Sequence, residues 1–433
     1  MRILQVNKFW FARGGVESYL AGLIGELRRR GHEVAEFGMR HEANPPSPYA
    51  DTFAPFVELS SAGQGLSLAE KARTALRVLY APPVAAGVRE LCAAFRPDVA
   101  HVHLFERQLT YAVIRGLRAA GVPIVQTFHD YSFVCANYTL MKSMTSPCPV
   151  ECMTKGYHQA VRYRCVKKSR SASALGALEL VMRREVFRYQ RHVEAFISPS
   201  AYLRRILVEG GGLDPRKVLH VPNYVRCAEY EPRFEPGEYV LFVGRLSFEK
   251  GLSTLLEAAA ALPRLSFRVV GTGPEEANLR RAVAERGLGN VTLDGHRTPA
   301  ELREIYRGAL CVVMPSEWPE NAPMVIYEAF ASGKPVVGTA MGGIPELVED
   351  GVDGLVVPPA DAGALGRALR ELADAPRRAA DMGARGREKV ERGYDLPHHV
   401  DRLMEVLQAA RTRNLPSAAR RPLPNEREAV LHA

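Results

Sequence analysis

The sequence predicts an α/β protein with two doubly wound parallel-sheet domains, and three observations lead to this prediction. Short apolar runs typical of buried parallel strands alternate with segments of helical periodicity along both halves of the chain. Glycine-rich turns follow several of these strands where a helix is about to begin. A segment rich in Pro, Glu and Arg, residues 226–237, separates the halves and is typical of an interdomain linker.

Size and composition fit this architecture. The 433 residues are enough for two or three domains, and the hydrophobic fraction of 47% is ordinary for a globular protein. No apolar run reaches the roughly 18 residues that span a bilayer, and Met1 leads directly into a strand-like run. We therefore expect a cytoplasmic protein. The net charge of +9 permits an acidic partner, but no nucleic-acid-binding motif accompanies it, so we expect no nucleic acid.

The first half begins with a strand at residues 2–7 and a helix at 16–30, joined by a loop that ends on Gly14 and Gly15. Backbone without a Cβ lets an anion approach a helix N-terminus closely. His129 follows a later strand at its carboxyl end, where parallel sheets bind ligands. The other predicted elements of this half are strands at 34–38, 99–104, 123–128, 195–198 and 219–221, and helices at 111–120 and 175–193.

Four cysteines have a symmetric spacing. Twelve residues separate Cys135 from Cys148, three separate Cys148 from Cys152, and twelve separate Cys152 from Cys165. Four thiolates suit tetrahedral Zn²⁺, whereas the same residues also fit a group of reduced, partly buried thiols. The spacing matches no common zinc finger, so we assign no metal site and leave both readings open.

Residues 155–205 are strongly basic, with twelve Lys and Arg against three Glu. A stretch of this kind is ordinarily a solvated face. The alternative is a peripheral membrane contact, since each such residue near an anionic surface contributes about 1 kcal/mol.

In the second half, a strand at 239–243 runs into a loop that carries Arg245 and Lys250 before a helix at 252–262. A guanidinium fork and a mobile ammonium on one strand-to-helix loop suit a diphosphate. The alternative is a basic loop whose side chains are only solvated. The following helix N-terminus adds roughly 0.3–1 kcal/mol for an anion. The chain contains no Asp-x-Asp, the pattern with which many enzymes hold a nucleotide diphosphate through a metal, so we expect metal-independent chemistry.

The most informative stretch follows an apolar strand at 309–314. Glu320 lies in the loop that continues through Asn321, Ala322 and Pro323, and Glu328 lies about one turn into the next helix. Each carboxylate alone fits a helix cap or a solvated residue. Together with the other motifs they favour a ligand site. Gly271 follows the strand at 266–270. The remaining predicted elements are strands at 291–293, 335–338 and 355–357 and helices at 276–286, 299–306, 362–373, 376–391 and 395–410. Residues 413–433 are predicted to be a disordered tail.

These residues resemble family 4 of the retaining nucleotide-sugar glycosyltransferases. The motifs are Gly14-Gly15-Val16-Glu17, Gly244-Arg245 through Lys250-Gly251, Gly271-Thr272-Gly273-Pro274, and the Glu320/Glu328 pair. The resemblance covers residues 1 to about 410. It implies a GT-B fold with two Rossmann-like domains facing a central cleft. The expected parts are an acceptor-side domain at 1–225, a nucleotide-sugar-binding domain at 226–394, and a helix at 395–412 that returns to the first domain.

The resemblance also implies a role for each motif residue. Arg245 and Lys250 would bind the donor diphosphate, Glu328 the ribose, and Glu320 with the 321–323 backbone the donor sugar. The expected catalytic residues are His129, Glu320, Arg245 and Lys250; the expected donor-binding residues are Gly14, Gly15, Arg245, Lys250, Gly271, Arg297, Glu320, Asn321, Ala322, Pro323 and Glu328. Many members have Gly-Phe-Gly where this chain has Asn321-Ala322-Pro323, which leaves the donor sugar open.

The implied activity is transfer of a hexose from a UDP- or GDP-sugar, with retention at the anomeric carbon and without a cofactor. The expected acceptor is a saccharide, a lipid-linked saccharide or another cell-envelope molecule, with membrane contact through residues 155–205. Two alternatives stay open: a nucleotide-sugar epimerase on the same fold, and a non-catalytic subunit that only binds nucleotide sugars.

Overall fold

The computed structural model describes residues 1–11, 14–59, 67–143 and 146–414, with only the backbone described for Leu68 and Lys71. The described residues divide into two compact units. Unit 1 contains residues 1–143, 148–221 and 400–414 within the described ranges, and unit 2 contains 146–147 and 222–399. Of the predicted tail, residues 415–433 lie outside the described residues.

Unit 1 is built on a six-stranded parallel sheet in the order β2-β1-β3-β4-β7-β8. Its central strands are buried throughout, as expected of strands that helices cover on both faces. The strands are β1 (Arg2–Val6), β2 (Glu33–Phe37), β3 (Val99–Val102), β4 (Ile124–Thr127), β7 (Ala195–Ser198) and β8 (Val218–His220), while the short β5 (Met141–Lys142) and β6 (Ser146–Pro147) lie outside this sheet.

The helices of unit 1 pack apolar faces against this sheet. In α1 (Gly15–Arg29), Leu20, Leu23 and Leu27 are fully buried at helical spacing, and basic residues in the last turn complement the helix dipole. Two helices between residues 68 and 95 were not predicted from the sequence. The helices that follow are α2 (Leu68–Leu79), α3 (Pro82–Phe95), α4 (Thr110–Ala119), α5 (Glu151–Thr154), α6 (His158–Arg162), α7 (Arg170–Val181) and α8 (Ala201–Arg205).

The prediction of one helix over residues 175–193 was wrong. The α-helix ends at Val181 and continues as a π-helical turn, Met182–Val186, before a 3₁₀ turn at Tyr189–His192. The wider turn directs two consecutive arginines inward. Arg183 donates to Glu179 at 2.8 Å, and Arg184 donates to the carbonyl of Gly211 at 2.7 Å. The physical reason is this buried pairing, which helical periodicity alone does not reveal.

Unit 2 repeats the architecture with a six-stranded parallel sheet in the order β11-β10-β9-β12-β13-β14. All six residues of the strand Ala309–Met314 are buried. The strands are β9 (Tyr239–Val243), β10 (Ser266–Val270), β11 (Val291–Gly295), β12 (Ala309–Met314), β13 (Val336–Thr339) and β14 (Gly354–Val357). The prediction of two doubly wound α/β domains is confirmed.

The helices of unit 2 follow its strands in alternation. They are α9 (Leu252–Ala260), α10 (Glu276–Glu285), α11 (Pro299–Arg307), α12 (Met324–Ala331), α13 (Ile344–Leu347), α14 (Ala362–Asp374) and α15 (Pro376–Gly393). The last helix, α16 (Leu396–Arg411), belongs to unit 1 from Val400 onward. Its Asp401 pairs with Arg30 at 2.5 Å, so the expected return of a C-terminal helix to the N-terminal domain is confirmed.

Within the described ranges, no single helix has both the length and the apolar composition needed to cross a bilayer; Ala72–Leu79 and Pro82–Phe95 meet that requirement only as a bent pair.

Candidate functional site

The predicted donor-binding residues of unit 2 gather at one edge of its sheet. Arg245 follows β9, Gly271 follows β10, Arg297 follows β11 and Glu320 follows β12. The strand order reverses between β9 and β12. In open α/β sheets the carboxyl ends of the strands on either side of such a reversal form the ligand site.

A buried ion pair joins the loops that follow β9 and β12. Lys250 ends a short 3₁₀ turn, and its Nζ lies 2.6 Å from Oε1 of Glu320. The hydroxyl of Ser316 donates to the same oxygen at 2.6 Å. The Glu320 side chain is 5% exposed and that of Lys250 is 18% exposed. The structure therefore brings two predicted catalytic residues, 70 positions apart, into direct contact.

The backbone holds this arrangement in place. The amide of Glu317 donates to the carbonyl of Glu249 at 2.9 Å, which ties the two loops together. The amide of Gly343 donates to the carbonyl of Glu320 at 2.7 Å. Gly342 has φ +62°, and a Cβ there would collide with the Glu320 backbone, so this close approach requires glycine.

The tripeptide Asn321-Ala322-Pro323 completes the loop before α12. Asn321 and Ala322 are buried, and the carbonyl of Ala322 accepts from Nδ2 of Asn223 at 3.0 Å. Pro323 precedes the helix as its N-cap and has no amide hydrogen. A ligand beside this loop therefore meets fewer backbone donors than the three amides of a Gly-Phe-Gly sequence would provide.

Arg245 differs from Lys250 because its side chain is exposed and forms no salt bridge with any residue that the structure describes. The backbone beside it is closely packed. Gly271 has φ +137°, and a Cβ there would collide with the carbonyl oxygen of Gly244. Arg245 is thus an exposed cation whose neighbouring backbone is closely packed.

Glu328 is half-buried in α12, and Oε2 accepts a hydrogen bond from the Tyr306 hydroxyl at 2.8 Å. Burial raises the pKa of Glu328 above its ordinary value, while the hydrogen bond from Tyr306 acts in the opposite direction. Sequence reasoning singled out Glu328 but missed Tyr306, for which no local signal exists.

Arg297 is partly occupied by neighbouring carboxylates. Its guanidinium lies 3.6 Å from Asp294 and 3.8 Å from Glu301. Glu301 also closes a capping box with Thr298 at the start of α11. Arg297, one of the predicted donor-binding residues, is therefore a paired arginine next to a capped helix start.

In unit 1, His129 follows β4, is half-buried and lies at the end of a row of buried polar side chains. Nδ1 of His103 lies 2.9 Å from Nε2 of His129, and Nε2 of His103 lies 3.0 Å from Oε1 of Gln5. Tyr19 meets the His129 ring edge-on at 5.4 Å between centroids. Sequence reasoning missed His103, although His101 and His103 are two positions apart in the predicted strand 99–104 and would therefore share one face.

Gly14 is the N-cap of α1, with φ −176°, an extended conformation that any residue adopts. A Cβ at Gly14 would meet Glu17 Oε2 at 3.8 Å, an ordinary contact, and Gly15 is the first residue of the helix. The fold therefore does not require glycine at Gly14. The preceding residues 12 and 13 lie outside the described part of the chain.

The four closely spaced cysteines are unbonded thiols. Burial raises the pKa of Cys135 to about 12 and that of Cys152 to about 11. In the part of the chain that the structure describes, no group of three or more His, Cys, Asp or Glu side chains is arranged to hold a metal ion. Cys135 and Cys152 are buried, and Cys148 and Cys165 are half-buried.

The basic stretch is less charged at the surface than its sequence indicates. Arg183 and Arg184 are buried, and Arg204 is half-buried against the carbonyl of Val218. The nine exposed members are Lys155, Arg162, Arg164, Lys167, Lys168, Arg170, Arg188, Arg191 and Arg205.

Named relatives support a transferase. Alpha-D-kanosaminyltransferase of Streptomyces kanamyceticus is 34% identical over 35% of this chain, a match that spans only 41% of that relative's length. Phosphatidyl-myo-inositol mannosyltransferase of Mycolicibacterium smegmatis is 26% identical over 94% of each chain.

Among solved structures, Anabaena HepE in complex with UDP-glucose superimposes with a TM-score of 0.65 at 18% identity, over 94% of this chain and all of that one. This likeness concerns the fold. Residues 229–389 match the family model for glycosyl transferases group 1, and residues 13–229, half of the chain, match the model for Glycosyltransferase Family 4. The chain belongs to glycosyltransferase family 4.

Proposed function

We propose that this protein is a retaining, metal-independent glycosyltransferase that moves a hexose from a UDP- or GDP-sugar to a saccharide, lipid-linked or other cell-envelope acceptor. The observation that carries the proposal is the Lys250–Glu320 pair at the strand-order reversal, beside the exposed Arg245. This edge offers both a cationic and an anionic group to a sugar diphosphate.

The diphosphate is the part of the donor that this site fits best. Arg245 supplies a planar guanidinium that is not paired within the described chain, and Lys250 supplies an ammonium already held in place by Glu320. The adjacent N-terminus of α9 adds a favourable dipole. Cations beside the phosphates stabilise the charge that develops on a leaving nucleoside diphosphate.

Metal independence is proposed from the sequence and the available charges. The chain has no Asp-x-Asp pattern, and in this proposal Arg245 and Lys250 neutralise the phosphates themselves. Activity that is retained in EDTA supports this part of the proposal. Activity that EDTA abolishes and Mn²⁺ restores contradicts it.

Retention is proposed through front-face attack. The bond between the anomeric carbon and the diphosphate oxygen breaks, the acceptor oxygen bonds to that carbon from the same face, and the acceptor proton passes to the leaving phosphate. The transition state has oxocarbenium character. Oε1 of Glu320 accepts hydrogen bonds from both Lys250 and Ser316, which disfavours Glu320 as a covalent nucleophile.

The acceptor class is supported by relatives. The names of matched proteins include an O-antigen chain mannosyltransferase, an amylovoran biosynthesis glycosyltransferase and a phosphatidyl-myo-inositol mannosyltransferase. Saccharide and lipid acceptors are therefore the first to test. We propose peripheral contact of residues 155–205 with anionic lipid, through the exposed basic residues and the exposed Leu178 and Val186.

The direct test is transfer from labelled UDP- and GDP-sugars, with anomeric configuration read by NMR. We expect Arg245→Ala to lower kcat/KM by about 10²-fold or more. Arg264→Ala, an exposed arginine elsewhere in unit 2, is the matched control and leaves the rate unchanged. A near-normal rate in the Arg245 variant removes that residue from the site.

The same assay separates the alternatives. An epimerase converts the donor without any acceptor. A non-catalytic subunit binds the donor but neither epimerises it nor transfers its sugar. An inverted product contradicts the proposed stereochemistry.

A further inference from the structure

The Tyr306–Glu328 hydrogen bond connects two neighbouring helices of unit 2. Tyr306 lies near the end of α11 and is fully buried, while Glu328 lies in the second turn of α12 and is half-buried. The hydroxyl donates to Oε2 at 2.8 Å across 22 positions of sequence. This bond occupies one oxygen of the carboxylate and limits the rotamers of the Glu328 side chain.

The other carboxylate oxygen, Oε1, accepts no hydrogen bond from the residues that the structure describes, and Glu328 keeps part of its surface exposed. A carboxylate with one oxygen anchored and the other available is preorganised to accept from a ligand hydroxyl. Anchoring matters because an unrestrained Glu side chain loses up to about 2 kcal/mol of rotamer entropy when it is immobilised.

Tyr327, the neighbour of Glu328, is a matched buried tyrosine whose hydroxyl does not bond to Glu328. Both tyrosines are fully buried in the same apolar core of unit 2. The Tyr327 hydroxyl has no hydrogen-bond partner among the described residues, so this core accommodates a buried hydroxyl whether or not it is bonded.

We propose that Tyr306 is a positioning residue for the donor: it holds Glu328 so that Oε1 accepts from the ribose hydroxyls, and it thereby selects ribonucleotide donors over 2′-deoxyribonucleotide donors. The inference rests on the proposed function, in which Glu328 contacts the donor ribose. It adds Tyr306, a residue outside the predicted site, to the proposed recognition of the donor.

The surroundings of the carboxylate give a second consequence. A hydrogen bond to the ionised form favours that form, so loss of the Tyr306 hydroxyl raises the pKa of Glu328 further. Nucleotide binding that needs the carboxylate weakens as the pH falls through this pKa, and without Tyr306 the weakening begins at higher pH. The groups near Glu328 are Tyr306 on α11 and Tyr230, which is itself beside Arg303, Glu229 and Arg226.

The test compares Tyr306→Phe with Tyr327→Phe, two substitutions that each remove one buried hydroxyl from the same core. Dissociation constants are measured for UDP and 2′-deoxy-UDP, and for GDP and 2′-deoxy-GDP, by calorimetry. We expect the wild type and Tyr327→Phe to prefer the ribonucleotide by about tenfold or more, and Tyr306→Phe to lose most of this preference. The pH at which nucleotide binding weakens should rise in Tyr306→Phe but not in Tyr327→Phe. Titration of the nucleotide itself is the same for every variant, so it does not affect this comparison.

Failure of the inference is distinguishable from failure of the proposed function. If neither UDP nor GDP binds the wild type, the proposed function is wrong and the inference falls with it. If the wild type prefers the ribonucleotide and Tyr306→Phe retains both the preference and the pH midpoint, the inference alone is wrong.

A double-mutant cycle tests the same coupling independently of the pH measurements. Glu328→Gln keeps the side-chain shape and should lose the preference on its own. In the background of Glu328→Gln, adding Tyr306→Phe should change the preference by less than about twofold, because the two residues act as one unit. Independent, additive effects contradict the proposal.

Discussion

At the scale of single residues, the role of a lysine depends on the partners that surround its ammonium group. Lys250 lies at the ligand-binding edge of unit 2 and pairs with a carboxylate beside an indole ring, with its Nζ 5.2 Å from the Trp318 centroid. Lys334, between α12 and β13, is only 1% exposed and donates to the carbonyl of Glu235 at 3.0 Å. The first is available to a ligand, whereas the second is part of the interior.

The burial of Lys334 predicts how the free energy of unfolding depends on pH. Burial lowers its pKa to about 8, from 10.5 in the unfolded chain. Between these two values the unfolded chain binds the proton that the folded chain has lost, so this residue makes the free energy of unfolding rise with pH. We expect the wild type to gain on the order of 1–3 kcal/mol relative to Lys334→Met between pH 8 and 10.5. Urea unfolding at several pH values measures the difference.

The control for this prediction is Lys217→Met. Lys217 also donates to a backbone carbonyl, that of Val193 at 2.9 Å, but it is half-buried instead of fully buried. The pH dependence should survive in this variant. A wild type and a Lys334→Met variant with parallel stability curves would contradict the assignment.

At the scale of elements, the π-helical turn after α7 decides what the basic stretch can do. It turns Arg183 toward Glu179 and Arg184 toward the Phe133 ring, 4.3 Å from its centroid. Buried charges with buried partners do not reach a membrane. The exposed part of the stretch is concentrated at residues 162–170, before α7 and at its first residue.

The membrane proposal is therefore tested at that exposed segment. We expect Lys167→Glu with Lys168→Glu to weaken binding to vesicles of anionic phospholipid by roughly 30-fold or more, since each lysine contributes about 1 kcal/mol. Binding is measured by co-sedimentation at two salt concentrations, with phosphatidylcholine vesicles as the reference. Arg377→Glu with Arg385→Glu makes the same change of net charge on exposed residues of unit 2 and should leave binding intact. Equal loss in both pairs would mean that net charge, and not this segment, attracts the protein.

At the scale of the whole molecule, the residues of one helix, α16, are divided between the two units. α16 begins in unit 2, where the carbonyl of Val225 accepts from the amide of Leu396 at 3.1 Å. From Val400 onward it belongs to unit 1, and its Leu403 and Leu407 are fully buried there. The core of unit 1 is thus completed by residues that the chain reaches only at its far end.

This arrangement predicts which unit a core substitution weakens. Leu407→Ala should destabilise unit 1 by about 2–5 kcal/mol, the usual cost of such a cavity. The protein has two tryptophans, Trp10 in unit 1 and Trp318 in unit 2, so a Trp318→Phe background reports unit 1 and a Trp10→Phe background reports unit 2.

We expect Leu407→Ala to shift the denaturation midpoint of the Trp10 signal more than that of Trp318. Leu369→Ala, a fully buried leucine of α14, is the matched control and should show the opposite order. If Leu407→Ala shifts only the Trp318 signal, the assignment of this part of α16 to unit 1 is wrong.

The sequence by itself determined the fold class, the family and several strands to the residue. The strands at 195–198, 239–243, 266–270 and 309–314 were predicted with the bounds that the structure has. Parallel strands covered on both faces read as uninterrupted apolar runs, and polar or glycine residues mark their ends, so the signal is local. The loop positions of Glu320 and Arg245 followed from the same pattern, because ligand residues lie where such strands end.

Only the tertiary structure decided which side chains meet. Lys250 reaches Glu320 across 70 positions and Tyr306 reaches Glu328 across 22, and the inward turn of Arg183 depends on partners that no local pattern specifies. Periodicity records which face of an element is apolar, whereas a hydrogen bond between distant residues depends on how whole elements pack. The sequence therefore predicted which residues lie at the site, but not which of their side chains are in contact.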